Sequence, residues 1–374
     1  MKITLLGTAY PYRGGLALYN ERLMEEFQKQ GHDVSINTFS LQYPSFLFPG
    51  KTQYADWKKP NKFPIKRSVN SINPINWVRT GLKIKKERPD ILIFKYWLPF
   101  FSPCFSIIAK IVKSNGHTKV ITIVDNIIPH EKRPFDNMLT KFFVKHIDGF
   151  VAMSQSVYDD IAKFNAKKPR NLCPHPLFDN FGNSLSKEEA IKKLNLNKED
   201  INFLFFGLIR GYKGLDILIE AMADERLKAF PIKLLVAGEF YDDAKPYYER
   251  VKELKLGDRI SFDPRFIPDK EVKDYFCSTD LVVQPYKTAT QSGVTQIGYH
   301  FETPMLVTDV GGLAEIIPNG KVGYVVQPNG KSIADSLLDF CINRPDFSEG
   351  IKEEKKKYSW ERMTQAVEDI YKQI

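Results

Sequence analysis

The chain has 374 residues, 43% of them apolar and 26% charged, the balance of a soluble globular protein rather than a disordered or fibrous one. That length exceeds one ordinary core and suits two domains of about 150 to 200 residues. A net charge of +9 and a pI near 9.1 point to an anionic partner such as a nucleotide diphosphate, a lipid phosphate or a membrane surface, while scattered lysine pairs without a zinc finger, RNP-type signature or basic heptads argue against nucleic acid.

Cys104, Cys173, Cys277 and Cys341 stand far apart, with no C-x-x-C pair and no zinc-like spacing. Reduced, structural thiols are expected. After Met1 the run KITLLGTAYPYRGG is too short for a signal-peptide core and ends in a glycine turn, so a cytoplasmic location is expected. The apolar stretch ILIFKYWLPFFSPCFSIIAKIV from Ile91 is interrupted by Lys95, Pro99, Pro103 and Lys110; it reads as a buried strand, a loop and a helix rather than a membrane span.

In chain order, KITLLG predicts a strand, Leu16 to Gln30 an amphipathic helix and DVSINTF a second strand, the βαβ rhythm of a parallel sheet. Leu41 to Trp77 mixes prolines, aromatics and lysines without a period, and reads as a long acceptor- or membrane-facing loop. Strands follow at DILIFK, KVITIV and GFVAMS, with helices around Asn137 to His146 and Gln155 to Phe164. NLCPHPLFDNFGN from Asn171, with prolines on both sides of His175, reads as a connection.

A second rhythm then begins. INFLFFG, IKLLVAGE, RISF, DLVVQP, PMLVTD and GYVVQ predict strands, with helices starting near Gly214, Lys245, Asp269, Ser292 and Gly330. The apolar spacing of Trp360, Met363, Val367, Ile370 and Tyr371 predicts a closing amphipathic helix.

Three constellations carry candidate chemistry. In PYRGGLALYNERL, Gly14 and Gly15 lie between a strand and a helix start, where free N–H groups face an anion; an ordinary strand-to-helix turn uses the same pair. In FFGLIRGYKGLDILIEAM, Gly207, Arg210, Gly211, Lys213 and Gly214 form a turn at the carboxyl end of a parallel strand, the edge at which such sheets bind ligands, and two cations there suit a diphosphate. In QPYKTATQSGVTQIGYHFETPMLVTDVGGLAEII, the loop Thr288 to Gly293 leads into a helix whose first amides, near Ser292, Gly293 and Val294, point at a phosphate. The next strand runs into Gly311 and Gly312, with Glu315 a turn beyond.

The Lys213–Gly214 turn, the VAGE ending at Glu239, the PMLVTDVGGLAEII run from Pro304 to Ile317 and the SWE helix together resemble retaining GT-B glycosyltransferases of family 4 (glycosyl transferases group 1), of the kind used in bacterial surface polysaccharide and lipopolysaccharide assembly. The likeness spans nearly the whole chain and is strongest over residues 200 to 330. It implies an α/β fold of two Rossmann-like, doubly wound parallel-sheet domains facing a cleft. The expected divisions are an acceptor-side domain at 1–172, a linker at 173–184, a donor domain at 185–355 and a C-terminal helix at 356–374 packing back on the first domain.

The same resemblance implies that Arg210 and Lys213 hold the donor diphosphate. Leu208 stands where relatives carry an arginine. Relatives also have a glutamate pair spaced by seven residues that holds the donor sugar and ribose; here those positions fall near Ala289 and Ile297, and TQSGV offers its amides with Gln291 and Ser292 instead. Where relatives carry His-Asp before an apolar pair and a proline, ITIVDNIIPHEKRPFD holds Asp125 and Asn126, with a histidine only at His130. Asp125 is a candidate for orienting or activating the acceptor hydroxyl; a strand-end Asp also serves as a plain turn cap.

The expected reaction is transfer of a hexose from a nucleotide-diphosphate sugar to a glycan or lipid-linked acceptor with retention. It proceeds by front-face displacement, with no metal and no cofactor beyond the donor. Pro44, Phe46, Phe48, Trp57, Lys58, Lys59, Trp97, Phe100 and Phe101 are candidates for peripheral contact with an anionic membrane, or for filling the first core. Two other readings remain open: a catalytically silent nucleotide-sugar binding protein of the same fold, and a sugar-nucleotide epimerase.

Overall fold

The computed structural model describes residues 1–44, 48, 50, 52–55, 64–129 and 133–374. Two compact units divide the chain: Met1–Pro176 with Ser359–Ile374, and Leu177–Tyr358.

The first unit is built on β1 (Lys2–Leu6), β2 (Asp33–Leu41), β3 (Ile65–Asn70), β4 (Ile91–Tyr96), β5 (Lys119–Val124), β6 (Gly149–Ala152) and β7 (Arg170–Leu172). All pair in parallel, in the order β3-β2-β1-β4-β5-β6-β7. The connecting helices are α1 (Gly15–Lys29), α2 (Pro74–Glu87), α3 (Ser102–Lys113), α4 (Asp136–His146) and α5 (Gln155–Phe164). β4 and β5 are largely apolar, because both faces of a parallel sheet are covered by helices, and Lys95 is the buried charge in β4. Local sequence sets the helix starts: Asn73 accepts from the Asn76 N–H ahead of Pro74, and Ser154 accepts from the Val157 N–H, satisfying amides a helix start leaves bare.

The second unit opens with α6 (Lys187–Lys193), started by a Ser186/Glu189 capping box. Then come β8 (Ile201–Phe206), α7 (Leu215–Met222), β9 (Ile232–Ala237), α8 (Lys245–Glu253), β10 (Ile260–Asp263), α9 (Asp269–Ser278), β11 (Leu281–Gln284), α10 (Gly293–Phe301), β12 (Met305–Thr308), α11 (Leu313–Ile316), β13 (Gly323–Val326), α12 (Gly330–Asn343) and α13 (Ser348–Glu354). Its six strands are parallel, ordered β10-β9-β8-β11-β12-β13.

The last helix, α14 (Trp360–Gln373), belongs to the first unit. It buries Trp360, Met363, Val367 and Ile370, and its Ala366 carbonyl accepts from the Asn171 side chain at 3.1 Å. Gln30, just after α1, donates to Thr364 at 2.8 Å. A methyl group on Gly149 would sit 2.2 Å from the Ile370 side chain, so the start of β6 has to be bare for this helix to seat.

Two sequence expectations change. The stretch from Leu41 to Trp77 is not all loop, since it contains β3 and the first turn of α2. The aromatics beyond β4 face inward: Phe101 is fully buried, packs 4.5 Å from the Trp97 ring and 5.3 Å from Phe39, and the Trp97 indole N–H donates to the Tyr43 hydroxyl at 2.9 Å. These rings fill the core. Pro44 is buried and Phe48 half-buried, while Phe46, Trp57, Lys58 and Lys59 lie outside the described residues.

Candidate functional site

Both sheets reverse their strand order once, between β1 and β4 in the first unit and between β8 and β11 in the second. At such a reversal the flanking helices leave on opposite faces, opening a crevice at the carboxyl ends of the strands. The sequence-predicted residues gather at these two edges.

In the second unit, β8 runs into Gly207 and a short 3-10 turn at Gly211–Lys213. Lys213 is 9% exposed. A Cβ built on Gly207 would stand 3.3 Å from the Lys213 Nζ and 3.6 Å from a Val294 methyl, so the turn after β8 and the start of α10 meet at this ammonium. Burial and the neighbouring Arg210 charge hold the Lys213 pKa below the ordinary lysine value. Among the described residues no carboxylate pairs with it, and the charged groups that act on it are Tyr212 and Arg210. Tyr286, after β11, puts its ring 5.4 Å from the Nζ and its hydroxyl 3.3 Å from Ser292 Oγ; burial pushes that phenol up to about 12.

Ser292 caps α10, accepting from the Val294 N–H at 3.2 Å. The nine-residue helix turns its N-terminus toward the turn after β8, bringing partial positive charge to a place already occupied by a cation. Two glycines make the approach possible. Gly214 (φ 71) would place a Cβ 1.9 Å from the Pro285 carbonyl, and Gly311 (φ 49) would place one 1.6 Å from the Ala289 carbonyl. The loops after β8, β11 and β12 are therefore in backbone contact.

Arg210 is half-buried, its guanidinium 5.3 Å from the Tyr241 ring, and the Gly211 N–H donates to Asp242 at 2.6 Å. Glu239 follows β9, is buried, and its carbonyl accepts from the Ile209 N–H at 2.9 Å. Gln291 is half-buried, Gly312 is buried, and Glu315 lies on the exposed side of four-residue α11. Gly207, Lys213, Ser292, Gly293 and Val294 thus come together. Ala289 and Ile297, the positions without carboxylates, are buried apolar side chains.

In the first unit, Gly14 (φ 94) precedes α1 with no side-chain cap, and Gly15 is its first residue. Asp125 follows β5 and is buried, its carboxylate 3.0 Å from Lys95 Nζ. The ammonium also stands 3.5 Å from the Tyr19 ring centroid. Burial lowers the Lys95 pKa against the opposing pull of Asp125, and burial with the Asp125 charge drives the Tyr19 phenol well up. His175 sits 5.1 Å from the Tyr19 ring; burial and the Lys95 charge push it down to about 3. Its Nδ1 is 2.6 Å from the Pro176 carbonyl, which only accepts, so Nδ1 carries the proton and Nε2 the lone pair. Asn126 is half-buried beside Asp125, and His130 lies outside the described residues.

Sequence reasoning missed Lys95, Tyr19, His175 and Tyr286. A lone lysine in ILIFKY was a usable signal, because a charge in a strand covered on both faces requires a buried partner.

This geometry agrees with the comparisons to known proteins. The Glycosyltransferase Family 4 profile matches residues 13–172, and the Glycosyl transferases group 1 profile matches residues 186–358. The chain belongs to the group 1 glycosyltransferases of GT-B fold. It is 25% identical to an uncharacterized glycosyltransferase of Methanocaldococcus jannaschii, over 100% of this chain and 99% of that one. It is 24% identical to the lipopolysaccharide core biosynthesis mannosyltransferase LpsB of Rhizobium meliloti, over 63% of this chain and 68% of that one. In fold it resembles Anabaena HepE, solved in complex with UDP and glucose, with a TM-score of 0.75 at 14% identity and complete coverage of both chains.

Proposed function

We propose that this glycosyltransferase moves a hexose from a nucleotide-diphosphate sugar to a glycan or lipid-linked acceptor of a surface polysaccharide, with retention of anomeric configuration and without a metal ion. The observation that carries the reading is Lys213: a buried ammonium with no carboxylate partner among the described residues, at a strand-end reversal and facing a helix start. A buried charge needs a counter-charge, and a diphosphate supplies one. The UDP complex of the fold relative HepE supports a nucleotide-sugar donor.

In this reading Arg210, Lys213 and the Ser292–Val294 amides stabilise charge on the departing diphosphate. One preorganised donor of this kind is worth roughly 3 to 4 kcal/mol at the barrier. The leaving phosphate takes the acceptor proton, so the protein supplies electrostatics rather than a strong base. Glu239, Gln291, Gly207, Gly311, Gly312 and Glu315 complete the donor side. In the first unit the uncapped α1 start at Gly14–Gly15 is a further anion position, and Asp125, held by Lys95, acts as an acceptor of hydroxyl hydrogen bonds with Asn126 next to it in the chain.

The test is incubation with a panel of nucleotide sugars and soluble acceptors, with the product anomer assigned by proton NMR and EDTA added in parallel. An inverted product, or activity that disappears with EDTA, removes those parts of the reading. The buried apolar side chains at Ala289 and Ile297 favour one rival, a nucleotide-sugar binding protein without turnover. Tight UDP-sugar binding with neither hydrolysis nor transfer on any acceptor would establish it.

A further inference from the structure

The helices of the first unit are segregated by charge. The connections β3–α2–β4, β4–α3–β5 and β5–α4–β6 all step the same way along the sheet, whereas β1–α1–β2 steps the other way. The connection β6–α5–β7 steps with the first three, so right-handed crossovers put α2, α3, α4 and α5 on one face and α1 on the other, with α14 beside α1. On the first face α2, α3 and α4 carry eight Lys and Arg residues against two carboxylates, and α5 beyond α4 adds Lys163, Asp159 and Asp160. On the α1/α14 face the balance is four against six.

The basic face is also the greasy one. α2 exposes Ile75 (64%), Val78 and Leu82 (53%), spaced by three and four residues along one stripe, with Ile72 just ahead of it. α4 repeats the spacing with Phe135 (72%), Met138 (60%) and Phe142. α3 lies between the two and touches both. Phe135 adopts φ 74, a conformation a bulky side chain rarely takes, and the outcome is a phenyl ring held out in solvent.

Arg79, Lys83 and Lys86 flank the first stripe, and Lys110, Lys141 and Lys145 the second. The basic density is felt locally: besides burial, Lys145, Lys113, Lys110 and Lys168 all push the His146 pKa down. Glu87 pairs with Lys66 and Asp148 with Lys113, while Asp136 at the start of α4 accepts from the Arg133 N–H at 2.8 Å. Monomeric surfaces rarely leave apolar side chains of this size contiguous.

We propose that the α2–α4 face docks flat on an anionic lipid bilayer, the Ile75/Val78/Leu82 and Phe135/Met138/Phe142 stripes entering the acyl boundary and the surrounding lysines and arginines contacting lipid phosphates. The mixture is what selects a bilayer. Apolar side chains fit the interface, and a predominantly basic rim fits its surface potential. A second copy of the same face would meet eight like charges. The inference rests on the lipid-linked acceptor of the proposed function and moves the membrane contact expected from sequence from the loop after β2 to a helical surface. It does not depend on the donor site.

The test is cosedimentation of the full chain with phosphatidylcholine vesicles, with and without phosphatidylglycerol, at low and high salt. Wild type is expected to bind the anionic vesicles at least about tenfold more tightly, with the preference reduced by salt. Ile75→Glu/Leu82→Glu and Phe135→Glu/Met138→Glu each lower binding by at least about tenfold. Ile342→Glu, an equally drastic change on an exposed residue of the second unit, leaves it unchanged.

Far-UV circular dichroism and turnover of a soluble acceptor confirm that each variant is folded, and a lost fold is replaced by the milder Lys83→Gln/Lys141→Gln pair, for which the same loss is expected. Three results overturn the proposal: no binding to either vesicle, binding by all variants equal to wild type, or a wild-type dimer by sedimentation equilibrium that the paired variants convert to monomer. Loss of vesicle binding with intact turnover leaves the donor reading standing. Intact binding with no turnover leaves the docking face standing.

Discussion

Lys95 on β4 and Asp125 after β5 form an ion pair of 3.0 Å at the carboxyl edge of the first sheet, the lysine 3% exposed and the aspartate 10% by side chain. A pair this buried is sensitive to the loss of either member, because the survivor is left charged in an apolar setting. Lys95→Met and Asp125→Asn should each destabilise the chain by about 3 to 5 kcal/mol. The double variant should recover much of that loss, which chemical denaturation of the four proteins would measure. Additive single effects would mean the two side chains are energetically independent.

His175 makes stability depend on pH. Its folded pKa is pushed down to about 3, below the ordinary value near 6.5 that it regains on unfolding. The unfolded chain therefore binds the extra proton first as pH falls. Stability from this group is complete above about 6.5 and is lost between there and 3, at about 1.4 kcal/mol per unit. His175→Gln should flatten the unfolding free energy over that window, and an unchanged slope would assign the acid sensitivity elsewhere.

In the proposed donor site, Lys213 should make diphosphate binding depend on pH in the opposite range. Only the ammonium attracts a diphosphate, and its pKa is held below the ordinary lysine value. UDP affinity, followed by titration calorimetry, should fall with rising pH earlier than a surface lysine would allow. Lys213→Ala should remove that dependence and lower kcat/KM by roughly a hundredfold or more. Arg210→Ala should act in the same direction. Normal turnover in both variants would displace the donor site from this turn.

Gly311 and Gly320 both have positive φ, 49 and 74, but only the former is crowded. Gly320→Ala meets nothing within 4 Å and should cost about 1 to 2 kcal/mol, the ordinary strain of that backbone region. Gly311→Ala would thrust a methyl to 1.6 Å from the Ala289 carbonyl and should displace the loop before α10. UDP binding should drop in Gly311→Ala by far more than in Gly320→Ala.

The fold was legible wherever hydrophobic period and length agreed. KVITIV, INFLFF and the helix at Gln155–Phe164 needed no tertiary knowledge. β3 was hidden, because IKRSVN at a sheet edge is too polar to read as a buried strand. The second-unit site was visible as glycines and cations along the chain. In the first unit Asp125 was visible at its strand end, but Tyr19, Lys95 and His175 were not, because they come to it from α1, β4 and the segment after β7 only in the folded chain. Lys95 was read as an interruption in an apolar run when it is the feature that run protects.

The seating of α14 on β5, β6 and β7 has a consequence for synthesis. The second unit is in effect an insertion within the first: a ribosome must finish Leu177–Tyr358 before the segment that covers Gly149 exists. The unit that starts first is completed last. Until then the start of β6, which ends up under Ile370, waits uncovered, and the intervening unit has time to fold on its own. Premature termination near Tyr358 would thus harm the distant unit more than the adjacent one.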